Sequence, residues 1–429
     1  MITDLPPSPG HAPFQPPYLS FGDLMLTSAF QPIFSFSHRQ SIGYEALLRA
    51  RDPAGNDIPP RDIFDQTCAK GGWNNLERGV QFLHVCNFSR VAGPTDWLFL
   101  NSRPDGFIVS DSYRCRVEST LRSLQIPSER IVLEVLETPS GNLQRLVEGI
   151  ASFRQQGFLI ALDDFGAGHS NIDRVWQLQP DIVKLDRRVI EQAAQNPRIA
   201  RSLPQLVSLL HQTGALVLIE GIETQHEALL AMESDADFAQ GFYFGRPIPF
   251  GVEISQCPTV MDSLWNQFRS RAEEKEREKR RLLSVYAPAL RTAAERYAAG
   301  IDIVTSCGDF LELEDASRCF VLNALGEQIG SDVTSAQSPF SQLKPFLALD
   351  GALGACWERR TYFQAAITHP GAIQATEPYL SISGAHFCVT LSIALLVHGE
   401  LNVLCADVEW RPDNDSRAKM KDPPSMALQ

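Results

Sequence analysis

The stretch Leu159-Ile160-Ala161-Leu162-Asp163-Asp164 is a short apolar run that closes on two adjacent carboxylates, and the same design recurs along the chain. Ile42-Gly43-Tyr44-Glu45, Leu98-Phe99-Leu100-Asn101, Ile131-Val132-Leu133-Glu134, Ile182-Val183-Lys184, Leu216-Val217-Leu218-Ile219-Glu220 and Phe238-Ala239-Gln240 each end on a polar side chain. Several of these runs are separated by enough residues for a helix, Asn142 to Gln156 and Arg198 to Thr213 among them. Such alternation predicts a parallel α/β sheet or barrel. In a (β/α) barrel the residues met on leaving each strand converge at one mouth, however far apart in sequence they lie. Four or more carboxylates gathered there at neutral pH need positive charge to hold them, and hard oxygen ligands point to magnesium, manganese or calcium.

Composition narrows the class. At 429 residues with 44% hydrophobic side chains, the chain has room for two or three globular domains. A net charge of -13 argues against binding a nucleic-acid polymer through a basic surface; a small nucleotide held by metal and local Arg or Lys stays open. The nine cysteines are dispersed and form no CxxC pair, which predicts buried thiols in a reducing, cytoplasmic setting rather than zinc or disulfides. No basic and apolar signal opens the chain, and the apolar stretch around Ile393 to Val397 is too short to cross a bilayer, so no membrane insertion is expected.

Five segments are expected. Residues 1–20, rich in proline, read as a disordered leader, and 21–260 as the barrel. Residues 261–298 read as a linker helix, 299–410 as a strand-rich α+β domain, and 411–429 as a flexible tail. Within the linker, Arg271 to Arg281 is almost wholly charged and predicts an exposed helix. Leu283, Tyr286, Leu290, Ala293 and Tyr297 then follow at spacings of three and four, a seam for another helix, with Pro288 predicted to kink or break it. A connector packed on its own chain and a dimer-forming helix both satisfy that pattern.

Seven segments carry a resemblance: Phe30-Gln31-Pro32-Ile33, Tyr44-Glu45-Ala46-Leu47-Leu48-Arg49, Leu133-Glu134-Val135-Leu136-Glu137, Asp163-Asp164-Phe165-Gly166, Val183-Lys184-Leu185-Asp186, Glu220-Gly221-Ile222-Glu223-Thr224 and Gln240-Gly241-Phe242. In this order they resemble the successive motifs of EAL-domain cyclic-di-GMP phosphodiesterases. The resemblance implies a TIM-like (β/α)8 barrel, hydrolysis of cyclic di-GMP to linear pGpG, and two divalent cations, Mg2+ or Mn2+; Ca2+, larger and a weaker activator of water, is expected to inhibit. It implies that Glu45, Asn101, Glu134 and Asp163 hold one cation and that Asp163, Asp164 and Glu220 serve the second, Asp163 bridging. Lys184 is implied to orient the attacking water, Glu220 to accept its proton, Arg49 to grip the substrate phosphate or guanine, and Gln240 to position groups at the mouth. Glu137 and Glu223 are implied to brace loops. Taken singly, each residue has a plainer reading: Asn101 as a turn residue before Pro104, Lys184 as an ion-pair partner of Asp186, a lone carboxylate as a helix cap.

The chain also departs from the family pattern. The threonine and tyrosine usual after Asp-Phe-Gly are Ala167 and His169, and the threonine before Glu137 is Leu136. Two functions therefore stand: an active phosphodiesterase regulated by its C-terminal domain, or a catalytically weak or inactive receptor that signals by binding. In that domain Trp357 to Phe363, Pro378 to Ser381, Cys388 to Ser392 and Val403 to Asp407 resemble the Cache/PAS-like domain of YkuI-type proteins. This implies a small amino-acid or carboxylate ligand met by Arg360, Tyr362, Tyr379 and Asp407, with an Arg fork facing an Asp; an aromatic core with one internal ion pair is the alternative. The expected partners are cyclic di-GMP, a second copy of the chain, and that small-molecule ligand.

Overall fold

The computed structural model describes residues 18–68, 73–107, 111–136, 143–168, 172–252, 258–336, 352–383 and 386–410. The chain divides into two compact units, Met1–Ser270 and Arg271–Gln429. The expected tail, and the expected leader as far as residue 17, lie outside the described residues. The leader's last residues are already strand: Leu19–Phe21 (β1) folds back through Gly22 onto the next strand, and Leu19 and Phe21 pack against Leu26, Leu76 and Leu83.

The first unit continues with Leu24–Ser35 (β2), Gln40–Arg51 (β3), Asp57–Ile58 (β4), Trp97–Ser102 (β5), Ile131–Val135 (β6), Leu159–Phe165 (β7), Ile182–Leu185 (β8), Leu216–Ile219 (β9), Phe238–Ala239 (β10) and Ile248–Pro249 (β11). Its helices are Pro60–Cys68 (α1), Trp73–Phe88 (α2), Asp111–Ser123 (α3), Leu143–Gln155 (α4), Ile172–Leu178 (α5), Arg187–Gln195 (α6), Pro197–Gln212 (α7) and Gln225–Glu233 (α8). Strands β2, β3 and β5 to β10 close into an eight-stranded barrel, the TIM-like architecture expected. One strand breaks the parallel rule. From β3 round to β10 the neighbours run parallel, whereas β2 is antiparallel to both β3 and β10. The cause is local: only residues 36–39, with Arg39 at φ 56°, join β2 to β3, and a parallel pair needs a crossover of roughly a dozen residues or more.

The barrel interior is plugged by one apolar layer. Ile33, Phe99, Val132, Ala161, Ile182, Leu218 and Phe238, each from a different strand, form a single buried cluster. On the outside, α4 buries Leu146, Ile150 and Phe153, and α7 buries Leu203, Val207 and Leu210, spacings that put each set on one helical face.

Between β2 and α2 lies a buried polar knot: Ser28 Oγ sits 2.8 Å from His84 Nδ1 and accepts a hydrogen bond from Asn87 Nδ2 at 3.0 Å. Burial, with the Arg49 guanidinium adding to it, pushes the His84 pKa down to about 3. An unfolded chain takes up the His84 proton near pH 6.5 while the folded one does not, so this group's contribution to stability is lost as pH falls from 6.5 toward 3. The expected loss approaches ~1.4 kcal/mol for each pH unit in that window. His84→Gln should flatten the acid limb of urea-unfolding stability against pH; an unchanged limb would count against the assignment.

The second unit holds Ala316–Asn323 (β12), Gln328–Thr334 (β13), Gln374–Ala375 (β14), Tyr379–Leu380 (β15), Phe387–Val397 (β16) and Glu400–Glu409 (β17). They form an antiparallel sheet of order β13-β12-β17-β16-β14, with β15 also on β16. Alternation along β12 feeds two cores. Cys319 and Val321 face Ile303–Leu311 (α10) and the end of Pro258–Ala298 (α9), while Phe320 and Leu322 face Thr361–Thr368 (α11). The seam residues Tyr286, Leu290 and Ala293 of α9 are buried against Phe310 and the sheet of their own chain, so among the two arrangements the pattern allowed, the self-packed one is present. Pro288 lies inside α9, which is not broken there. Within the charged stretch residues 272–277 and 279–281 are exposed, with Arg280 Nε 3.0 Å from Glu276 Oε1.

Candidate active site

Two residues beyond the apolar plug, on the same inward face of each strand, stand Asn101, Glu134, Asp163, Lys184, Glu220 and Gln240. On the reversed β2 the same step from Ile33 runs backwards and reaches Gln31, which pairs in register with Glu45 of β3. Gln31 donates from Nε2 to the Gly245 carbonyl at 3.2 Å. The sequence reading assigned Gln31 no role, although its motif was visible; only the reversal of β2 shows that it faces the mouth.

Lys184 is the hub. Its Nζ pairs with Glu134 Oε1, with Glu220 Oε1 at 2.5 Å, with Asp163 Oδ1 at 3.0 Å and, more distantly, with Glu45 Oε2 at 3.9 Å. The lysine is 1% exposed and Glu134 0%. Burial alone would strip the lysine's proton, but the surrounding carboxylates outweigh it and its pKa rises well above the ordinary value. Asp186, the ion-pair partner weighed for Lys184, instead caps α6, its side chain accepting from the Arg188 amide.

Glu45 is held from both sides: Asn101 Nδ2 donates to Oε1 at 3.0 Å and Gln240 Nε2 to Oε2 at 2.7 Å. It does not end its strand, as its run suggested, because β3 stays paired to β2 as far as Arg51. Arg49 shares Glu45's face four residues further along, about 13 Å away at strand rise, and its Nη1 donates to the Leu48 carbonyl.

Adjacent strand residues normally point to opposite faces, yet Asp163 and Asp164 both serve one cluster. The β7–β8 register shifts between Leu162 and Phe165, and Asp164 sits at φ 58°, so an extra residue bulges out and re-aims its side chain. Two carboxylate groups result, Glu45/Glu134/Glu220 and Asp163/Asp164/Glu220, each with oxygens within 4.8 Å of one another. Glu220 belongs to both.

Crowding raises proton affinities. Burial, then the neighbouring carboxylates against Lys184, holds Glu134 well above the usual carboxylate range. Burial likewise pushes Glu220 up to about 8, with Lys184 opposing, and burial with Asp163 and Asp186 pushes Asp164 up to about 6. Glu134 Oε2 is buried without a hydrogen-bond partner. Five carboxylates against one ammonium leave a charge that two divalent cations would balance, and an all-oxygen donor set suits magnesium or manganese. The residues fit such a pair.

The remaining candidates stand apart from this centre. Glu223 accepts from Arg187 Nη1 at 2.7 Å on the loop after β9. Glu137 and His169 lie outside the described residues. In the second unit, Tyr362 stacks on Tyr379 at 6.2 Å, and the Arg360 guanidinium lies 5.8 Å from the Tyr379 ring. Asp407, however, does not face Arg360: its Oδ2 accepts from Arg318 Nε at 2.6 Å and its Oδ1 from Thr390 Oγ1 at 2.5 Å. Arg318 stands opposite Asp407 in the β12–β17 register, a pairing that no motif announced.

An eight-stranded barrel with this acidic mouth around a buried lysine matches one known family: the EAL domain profile covers residues 23–247, and the chain belongs to that family. Among curated proteins, the cyclic di-GMP phosphodiesterase RocR of Pseudomonas aeruginosa is 30% identical over 238 residues, 53% of this chain and 59% of that protein. The uncharacterized EAL-domain containing protein YkuI of Bacillus subtilis is 24% identical over 317 residues, 71% of this chain and 76% of that protein. Four of the matched relatives are covered over only 28, 32, 43 and 59% of their own length. The crystal structure of YkuI, in complex with substrate c-di-GMP and calcium, aligns with a TM-score of 0.76 at 18% identity, over 90% of this chain and 96% of that one, a likeness of fold. Among the described residues no helix is long and apolar enough to cross a membrane.

Proposed function

We propose that this chain is a metal-dependent phosphodiesterase that hydrolyses cyclic di-GMP to linear pGpG. The observation that carries the reading is the pair of overlapping carboxylate groups around Lys184 at the barrel mouth. Relatives named as cyclic di-GMP phosphodiesterases support the substrate. When bound, two divalent cations supply a water of lowered pKa and stabilise both the attacking and the leaving oxygens of an in-line displacement. The chain's own residues do the rest. Asn101 and Gln240 fix the Glu45 carboxylate, Lys184 offsets charge gathering on the phosphoryl oxygens, and Arg49 grips a phosphate or guanine further along the β2–β3 ribbon. Glu220, one oxygen of which pairs with Lys184, takes the water's proton at the other.

Incubation of the purified protein with cyclic di-GMP tests this, with pGpG followed chromatographically. Product is expected with magnesium or manganese and very little with calcium, a larger ion that tolerates irregular coordination and activates water less well. Equal rates with calcium and magnesium would overturn the metal assignment. Cyclic di-GMP bound but left intact with all three ions would establish the second reading, a receptor, which Ala167 in the loop beside Asp164 favours.

To the same proposal belong cytoplasmic residence, a homodimer, a barrel at 21–260, a linker helix at 261–298 and a Cache/PAS-like sensor domain at 299–410. A sensor ligand with a carboxylate would meet Arg360, whose Nε is buried without a hydrogen-bond partner beside Tyr379 and Tyr362. Mass in solution, and turnover with and without small carboxylates, test these points.

A further inference from the structure

The first turn of α6 follows β8 directly and touches both loops that carry the Asp163/Asp164/Glu220 group. On one side, Val189 packs so closely on Gly166 that a Cβ there would collide with its Cγ2. Beside it Arg188 donates from Nη1 to the Ala167 carbonyl at 2.7 Å. On the other side the stem of Arg187 lies over Gly221, where a Cβ would meet its Cβ and Cγ, and its Nη1 reaches Glu223 Oε1 at 2.7 Å. Gly166 and Gly221 sit at φ 102° and 66°, so neither loop can exchange its glycine for a side chain without strain. Asp164 is itself in the left-handed region, and a non-glycine residue keeps that conformation only where its surroundings over-determine it.

We propose that Arg188, assisted by Arg187, is a positioning residue that fixes the separation of Asp164 from Glu220 and thereby sets the affinity of the second cation. The hook on the β7–α5 loop is a backbone carbonyl, since the Ala167 side chain offers no hydrogen-bonding group. Charge makes the contact stronger than a neutral hydrogen bond, although Arg188 is largely exposed. The inference rests on the two-cation reading above.

The test is calorimetric titration of the full-length protein with Mn2+ in the absence of substrate, alongside turnover at low and saturating Mn2+. Wild type is expected to show two binding events. Arg188→Ala should weaken one of them about tenfold, the change that about 1.4 kcal/mol produces, and leave the other event and the melting temperature in place. Its kcat should fall at low Mn2+ and recover at saturation with KM for cyclic di-GMP unchanged. Arg188→Lys, which keeps a cationic donor, should restore most of the affinity. Titrations of Arg188→Ala that superpose on wild type, or that lose both events equally, overturn the brace alone. A wild type that takes up no Mn2+ overturns the two-cation reading and the brace with it.

Discussion

Asp163→Asn is expected to lower hydrolysis of cyclic di-GMP by about 10³-fold while leaving the protein as stable as wild type or more so. The carboxylate lies 3.0 Å from Lys184 Nζ and belongs, with Asp164 and Glu220, to the group that fits the second cation. The amide keeps its shape but gives up the charge that ligation and water activation require. Folding responds in the opposite sense. Asp163 raises the proton affinity of Glu134, Asp164 and Glu220, so like charges are crowded there at a cost to the cation-free fold. A purely structural aspartate would give the reverse pattern, with stability lost and activity following it. Turnover and thermal unfolding measured on the same preparation separate the two; wild-type turnover in the asparagine variant would refute the assignment.

The barrel was legible because its two signals are local. An apolar residue two places before each polar one encodes both the plug and the mouth, as Val132 and Glu134 or Ile182 and Lys184 show. What stayed hidden depends on geometry that residue type does not carry. The reversal of β2 follows from the shortness of the 36–39 turn, and with it the inward placement of Gln31. The bulge that brings Asp163 and Asp164 to one side needs a register count between β7 and β8, and no propensity for φ 58° at an aspartate announces it. The α9 seam read equally well as a dimer contact because heptad-like spacing specifies a partner surface without saying whose it is. The same limit hid Arg318: a lone arginine within a strand has no motif, and its partner lies 89 residues away.

Asp407→Ala is expected to destabilise the second unit by about 3–5 kcal/mol. Arg318 is 5% exposed and Asp407 0%, and the pair is the charged centre of a chain of bonds running from Asp332 through Arg318, Asp407 and Thr390 to the Tyr379 hydroxyl. Removing one member leaves a buried guanidinium with Asp332 as its remaining anion and takes from Thr390 the acceptor of its hydroxyl. Burial pushes Tyr379 far above the ordinary phenol value, with Asp407 adding to it, so the phenol stays neutral and cannot replace the lost negative charge. Replacing both partners with apolar residues, Arg318→Met with Asp407→Leu, should recover much of the loss, because the main penalty is an uncompensated charge. Arg360→Ala should cost far less, since that guanidinium has cation–π contacts with Trp357 and Tyr379 in place of a buried carboxylate. The buried thiols of Cys388 and Cys405 supply a readout confined to this unit, because each becomes available to alkylation only when the sheet opens. Their labelling against urea, resolved by peptide mass, should shift to lower denaturant in Asp407→Ala and return toward wild type in the double variant. A single variant that labels as wild type does would show that Thr390 and Asp332 hold this sheet without the Arg318–Asp407 pair.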